Sequence, residues 1–325
     1  MTAVAYDLWR PASGCGADCL PAPGAVPGVP TAVRAGRLAA VLGMLVAGTG
    51  LALLLPLLPS RERHAAVRGW ARLTARAFGV RVVVRGRLPR RRALLVANHE
   101  SWLDVLAVLA AAPARMIAKS EVRAWPLIGQ LAGAAGTVFV DRGRPRDLPV
   151  MVGRVAEALG SGRSVAVFPE GTTWCGDGGG CRPGGGFRPA VFQAAIDAGA
   201  PVVPLRIAYR CVATGAGTTA AAFVGEENLW RSVRRVLAAR RLVVEVTVAA
   251  ALHPARDADR RVLARAAESA VHLVPSPTGV VSARTHRAPH PVPVALPVST
   301  PAAAWSPPTG ATASTEPARE LDLAA

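Results

Sequence analysis

Residues 93–112 read ALLVANHESWLDVLAVLAAA. The opening run, Ala93–Ala97, is apolar throughout and too short for a helix, which suits a strand buried on both faces. From Trp102 to Ala112 the apolar residues continue long enough for a helix. Asn98 to Ser101 form a polar turn between the two. A strand that runs through a polar turn into a helix is the opening unit of an α/β sheet, and functional side chains gather at such turns.

The same alternation extends on both sides. Val80–Val84, Met116–Ala118, Thr137–Val140, Val165–Phe168, Val202–Ile207 and Leu242–Val248 read as further strands. Leu148–Leu159, Ala190–Ala198 and Asp257–Val271 read as helices between them, which predicts an α/β sheet with helices on both faces over residues 80–274. Upstream, Leu38–Leu58 is uncharged and about long enough to cross a bilayer. It starts late and lacks a small-residue cleavage site, unlike a secretory signal. Its glycines and Pro56 leave room for a re-entrant segment.

Arg34 and Arg37 precede this stretch, and Arg61, Arg63, Arg68, Arg72 and Arg76 follow it. The excess of positive charge downstream predicts a cell-membrane protein whose catalytic domain faces the cytoplasm. Residues 61–79 read as a basic helix with Val67, Trp70, Leu73, Ala77 and Phe78 at helical spacing, suited to an anionic membrane surface or to the surface of the domain. Together, residues 31–79 form the expected membrane-anchoring segment. Residues 1–30 read as a flexible extension, and residues 275–325, rich in Pro and Ala without periodicity, as a disordered tail.

The net charge is +17 over 325 residues. Such charge suits anionic headgroups, phosphorylated substrates or an acidic carrier protein. No aromatic interleaving or recognition motif accompanies it, so nucleic acid is not an expected partner. Cys15, Cys19, Cys175, Cys181 and Cys211 are odd in number, and no CxxC or paired His spacing completes a zinc site. Isolated thiols in a reducing compartment are the expectation, with no metal, although Cys175 and Cys181 bracket a glycine-rich loop that a disulfide could close.

Three blocks carry chemistry. His99 and Asp104 are five residues apart, which on an ideal helix separates them by about 140°. They meet only if His99 lies in the turn and folds back over the first helical turn. Asp104 then accepts the Nδ1 proton of His99 and leaves Nε2 as a base toward a hydroxyl. The second block, Phe168 to Thr173, follows a strand directly; Gly171 permits a tight turn, and Thr172 with nearby amides suits an anionic oxygen. Between them Gly136 to Arg142 is a strand that ends on an arginine fit for phosphate. The bland alternatives are a solvated His, a plain strand-ending turn and a surface Arg.

In their order these blocks resemble the 1-acyl-glycerol-3-phosphate acyltransferases and related glycerolipid acyltransferases, over roughly residues 60–250. The likeness rests on Asn98-His99 with Ser101 and Asp104, on Gly136 with Arg142, on Phe168 to Thr172, and on Val203-Pro204. It implies a mixed, largely parallel sheet flanked by helices. It also implies transfer of a fatty acyl group from acyl-CoA or acyl carrier protein, a co-substrate rather than a cofactor, to a lysophospholipid hydroxyl. His99 and Asp104 are then catalytic. Asn98, Ser101, Lys119, Arg142, Glu170, Gly171, Thr172 and Arg188 are the implied substrate-binding residues. The chain departs from the family where an arginine often follows the third block: Thr173-Trp174 stands there, with Arg182 or Arg188 as replacement.

Lys119 is the one lysine beside 37 arginines, and a compact ammonium kept against that bias suits a phosphate or carboxylate. Two rival classes are a hydrolase using Ser101 and a membrane-tethered, non-catalytic lipid-binding protein. The first lacks the G-x-S-x-G elbow, and the second leaves His99, Asp104 and Glu170 without a task.

Overall fold

The computed structural model describes residues 13–22, 24–89, 92–141, 143–176, 179–181 and 186–273. The tail expected over 275–325, and Arg142 and Arg182, lie outside them. Two helices lead, α1 (Thr31–Leu54) and α2 (Ser60–Ala77). The domain then follows as β1 (Val80–Arg85), β2 (Leu94–Ala97), α3 (Leu103–Ala111), β3 (Arg115–Lys119), α4 (Ile128–Ala134), β4 (Val138–Val140), α5 (Leu148–Gly160), β5 (Val165–Val167), α6 (Ala190–Ala198), β6 (Val202–Cys211), α7 (Leu229–Ala238), β7 (Leu242–Val248) and α8 (Arg260–Leu273).

The seven strands form one sheet in the order β1-β7-β6-β2-β5-β3-β4. The five strands β6, β2, β5, β3 and β4 run parallel, whereas β7 pairs antiparallel with β6 and carries β1 parallel to itself. This is the expected mixed, largely parallel sheet. Its parallel part puts the carboxyl ends of β2, β5, β3 and β4 on one edge, where Asn98, Phe168, Lys119 and Asp141 begin their turns.

Strand β2 shows why the sheet needs cover on both faces. Leu95 and Ala97 join a cluster with Leu103 and Ala107 of α3, Ala71 of α2 and Val236 of α7. Leu94 and Val96 point the other way, among Val155 of α5, Phe192 of α6 and Ala267 of α8. Alternation thus splits one apolar strand between two cores. Each fully buried leucine there contributes about 1.5–3 kcal/mol.

Helices α1 and α2 form an antiparallel pair. Gly48 lets the Trp70 ring lie against the α1 backbone: a β-carbon at that glycine would stand 2.8 Å from Nε1 of Trp70. Nε1 donates to the Met44 carbonyl at 2.8 Å. The first turns of α1 are drawn onto the domain, where Nη1 of Arg37 donates to the carbonyls of Leu237 and Ala239, both at 2.8 Å. Helix α2 buries Ala71, Thr74 and Ala75, and Phe78 meets the Trp102 ring edge-on. Both ends of the pair therefore rest on one body, so Arg37 is not free to flank the far side of a bilayer. Thr31–Leu57 is long and apolar enough to cross a membrane, by length and composition. Leu53 and Leu57 are more than three-quarters exposed.

Residues 13–30 are not loose over their described length. Val29 N donates to the Ala238 carbonyl and Arg240 N to the Pro27 carbonyl, a short bridge beside α7. Cys15 is buried.

Candidate active site

The turn after β2 is built around one carboxylate. Asp104 stands in the first turn of α3, fully buried. Its Oδ2 accepts from the backbone amides of Glu100 at 2.7 Å and Ser101 at 2.8 Å, folding residues 99–101 over the helix start. The two converging amides and the helix N-terminus present partial positive charge to this buried acceptor. The fold-back brings Nδ1 of His99 to 2.8 Å from the same Oδ2. An oxygen that already accepts two N–H groups takes Nδ1 as a donor, so the Nε2 lone pair remains for chemistry. The His99 side chain is one-fifth exposed. Among the described residues Nε2 takes no hydrogen bond.

Four further groups fix this ring. Phe168 stacks on it with centroids 4.0 Å apart and planes within 8°. Glu170 Oε2 accepts the His99 backbone amide at 2.9 Å. The His99 carbonyl accepts from Trp174 N at 2.8 Å. Tyr209, buried on β6, donates to the other Asp104 oxygen, Oδ1, at 2.5 Å. Burial first, and then the neighbouring Asp104 carboxylate, push the Tyr209 hydroxyl well above its usual range, so it stays a donor.

The expected pairing of His99 with Asp104 is present. Two residues expected to touch substrate are instead internal. Asn98 is buried, accepting from Ile207 N at 2.7 Å and donating to the Ile207 carbonyl at 2.8 Å, which ties the turn to β6. Ser101 has no exposed surface, and its Oγ accepts from Leu103 N at 3.2 Å. Glu170 is buried too, against the His99 amide. Gly171 adopts φ +75°, which favours glycine, and Thr172 lies half-buried beside it. Arg188 is half-buried, its amide bonded to the Pro169 carbonyl at 3.0 Å. Lys119 ends β3 exposed, on the same sheet edge as His99 but two strands away.

Tyr209 escaped the sequence reading. Its one signal was rarity, for it is one of two tyrosines in the chain. The cysteines also differ from expectation. The Sγ atoms of Cys15, Cys19, Cys175 and Cys181 all lie within 4.8 Å of one another. A recess lined in part by Arg115, Arg123, Arg154 and Arg163 opens beside β4 and includes none of the groups around His99.

Burial pushes the Glu170 carboxyl up to about 8, against the hydrogen bond from His99, which favours the anion. The folded chain then holds a proton that the unfolded chain loses above about 4.5. This contribution to stability is full below about 4.5 and is lost as pH rises through about 8. Glu170→Gln keeps an acceptor for the His99 amide and removes the titration. The unfolding free energy of the variant relative to the parent, from denaturant titrations, is therefore expected to rise between pH 5 and 8, by at most about 1.4 kcal/mol per pH unit. A difference that stays flat with pH would show that Glu170 is ionised in the fold.

Residues 79–208 match the Acyltransferase family. The chain is 37% identical over 244 residues to a lyso-ornithine lipid O-acyltransferase of Pseudomonas aeruginosa, covering 73% of this chain and 91% of that one. It is 34% identical over 215 residues to a 1-acyl-sn-glycerol-3-phosphate acyltransferase of Neisseria gonorrhoeae, 66% of this chain and 82% of that one. In fold it is similar to the crystal structure of the 1-acyl-sn-glycerophosphate acyltransferase PlsC of Thermotoga maritima. The TM-score is 0.56 at 21% identity, over 74% of this chain and 92% of that one.

Proposed function

Because the chain belongs to the PlsC-type acyltransferase family, we propose that it moves a fatty acyl group from acyl-CoA or acyl carrier protein to a lysophospholipid hydroxyl. The acceptor in this reading is 1-acyl-glycerol-3-phosphate and the product phosphatidic acid. The observation that carries the reading is the His99–Asp104 pair, with Nε2 left free at the carboxyl edge of the sheet. Nε2 removes the proton of the acceptor hydroxyl as its oxygen attacks the thioester carbonyl. The Thr172 amide steadies the oxyanion, beside a Gly171 amide that donates to the Phe168 carbonyl at 3.1 Å. Collapse of the tetrahedral adduct breaks the carbon–sulfur bond, and the departing thiolate takes the proton back from the imidazolium. No acyl-enzyme forms and no cofactor takes part. Lys119, Thr172, Arg142 and Arg188 are the groups proposed to hold the headgroup, and the excess of arginine suits anionic lipid and an acidic donor.

A second acceptor has specific support. Thr173, at the position where the family often carries arginine, donates its hydroxyl to the Phe223 carbonyl and is spent on structure. The likeness to the Pseudomonas lyso-ornithine lipid enzyme is also the more extensive of the two. Purified enzyme given labelled acyl-CoA and a panel of lyso-acceptors tests both readings. The expected result is the highest kcat/KM with 1-acyl-glycerol-3-phosphate. A tenfold preference for lyso-ornithine lipid would transfer the acceptor to the second reading. No transfer to any acceptor would leave a tethered lipid-binding protein.

The α1–α2 pair is the proposed membrane attachment, with the domain on the cytoplasmic side where both thioester donors are made. Leu42, Val46, Leu53, Leu54 and Leu57 are exposed, and the arginines Arg61, Arg63, Arg72 and Arg76 of α2 are exposed near them. Inserting one leucine is worth about 1.5–3 kcal/mol, so Leu53→Gln is expected to weaken binding to anionic vesicles by about tenfold or more. Sedimentation with vesicles at high salt measures this. Undiminished binding would place the anchor elsewhere.

A further inference from the structure

Four of the five cysteines come from two places about 160 positions apart in the chain, yet their sulfurs form one group. Cys15 and Cys19 bracket a single 3-10 turn, Ala17–Cys19. Cys175 and Cys181 bracket the glycine loop that follows the third sequence block. All four sulfurs lie within 4.8 Å of one another, with Cys19 and Cys181 3.6 Å apart, and none is in a disulfide. Cys211, the fifth, stands apart as a buried residue of β6.

We propose that these four thiols form a structural zinc site. In tetrahedral zinc the metal–sulfur bond is about 2.3 Å, which separates the four sulfurs by about 3.8 Å. The observed spacings, 3.6 Å for Cys19–Cys181 and at most 4.8 Å for any pair, are close enough for one ion to draw all four sulfurs together, and an all-sulfur donor set selects zinc over magnesium, calcium or manganese. Binding exchanges four S–H bonds for four Zn–S bonds and releases the protons to solvent, leaving a core that carries excess negative charge. The chain already meets that charge: the Cys175 amide donates to Cys15 Sγ at 3.4 Å.

The backbone is shaped for sulfur as well. A β-carbon at Gly179 would stand 2.4 Å from Cys175 Sγ, so this position admits the sulfur only as glycine. Gly176 and Gly180 take φ +65° and +73°, a conformation that favours glycine at both positions. Ala222, Val224, Leu20 and Trp174 surround the cluster, and Cys175 has no exposed surface. Sequence spacing concealed all this, because neither pair has the two-residue gap of familiar zinc motifs. The pairing of four cysteines in two close sets around glycines was the available signal.

The site has a task. Trp174 precedes Cys175 and donates to the His99 carbonyl at 2.8 Å, while Phe223 N, beside Ala222 of the cluster wall, donates to the Glu100 carbonyl at 2.9 Å. A metal there would clamp residues 15–19 and 175–181 together behind the catalytic turn. It would act as a positioning element and touch no substrate.

Elemental analysis of the full-length enzyme, purified in detergent without chelator, is expected to find one zinc per chain. Cys19→Ser and Cys181→Ser, at the half-exposed ligands, should each lower that content several-fold, and Cys211→Ser should not change it. Since a ligand variant can misfold, the parent enzyme is also exchanged with Co²⁺. Visible ligand-field bands and a thiolate charge-transfer band are then expected, with four cysteines protected from alkylation until a chelator is added. Zinc content that survives loss of both Cys19 and Cys181 would overturn the proposal. So would a folded, metal-free parent whose thiols are freely alkylated or disulfide-bonded, or iron in place of zinc.

Discussion

Replacing His99 by alanine is expected to lower kcat/KM by at least about a thousandfold, since a positioned general base commonly contributes 10² to 10⁴. The fold should survive, because the ring is partly exposed and sits over the turn rather than within either core. Melting of the variant within a few degrees of the parent establishes that point. Ser101→Ala is the paired control. It removes one acceptor for the Leu103 amide and should cost about 1 kcal/mol of stability while leaving most activity. If Ser101→Ala stopped turnover and His99→Ala did not, a serine nucleophile would replace the histidine base.

Asp104→Asn follows, with an expected loss of about a hundredfold or more in kcat and little change in acceptor KM. Oδ2 of Asp104 receives two amides and the His99 ring, and Oδ1 receives Tyr209. An asparagine can keep its oxygen at the threefold position only by turning its NH₂ toward the Tyr209 hydroxyl, which must then accept. The ring stays near its place, but the negative charge opposite the forming imidazolium is gone. Tyr209→Phe leaves that charge and removes one hydrogen bond, so a smaller loss is expected. A decrease below tenfold in Asp104→Asn, with melting unchanged, would reduce Asp104 to a cap of the turn.

Much of this arrangement was legible in the sequence, for identifiable reasons. All seven strands were readable because each is a short apolar run closed by Gly, Pro or polar residues. Ala93–Ala97 with the helix after it even located the site. Helices α4 and α7 were not read. The first is seven residues of Ile, Gly, Gln, Leu and Ala, too short to show a period, and the second carries its apolar face between three arginines and other polar residues. The burial of Asn98 and Ser101 was not legible, because position in the chain does not say which way a turn points its side chains. Tyr209 and the cysteine group are contacts between distant segments, which periodicity cannot reveal. The basic helix was read correctly as such, but its apolar residues divide. Trp70 turns to α1, Phe78 to Trp102, and Leu73 stays exposed.

The stacking of Phe168 on His99 has a consequence for the direction of entry. The Nε2 lone pair lies in the imidazole plane, and a phenyl ring nearly parallel to that plane covers one face at 4.0 Å. A hydroxyl must therefore arrive edge-on, within a wedge around the imidazole plane on the side that Phe168 leaves open. A polyol can bring only one of its oxygens into that wedge while its acyl chain trails toward the lipid. Choice among chemically similar hydroxyls is then expected to be made by the angle of approach, with pocket depth left to measure the chain.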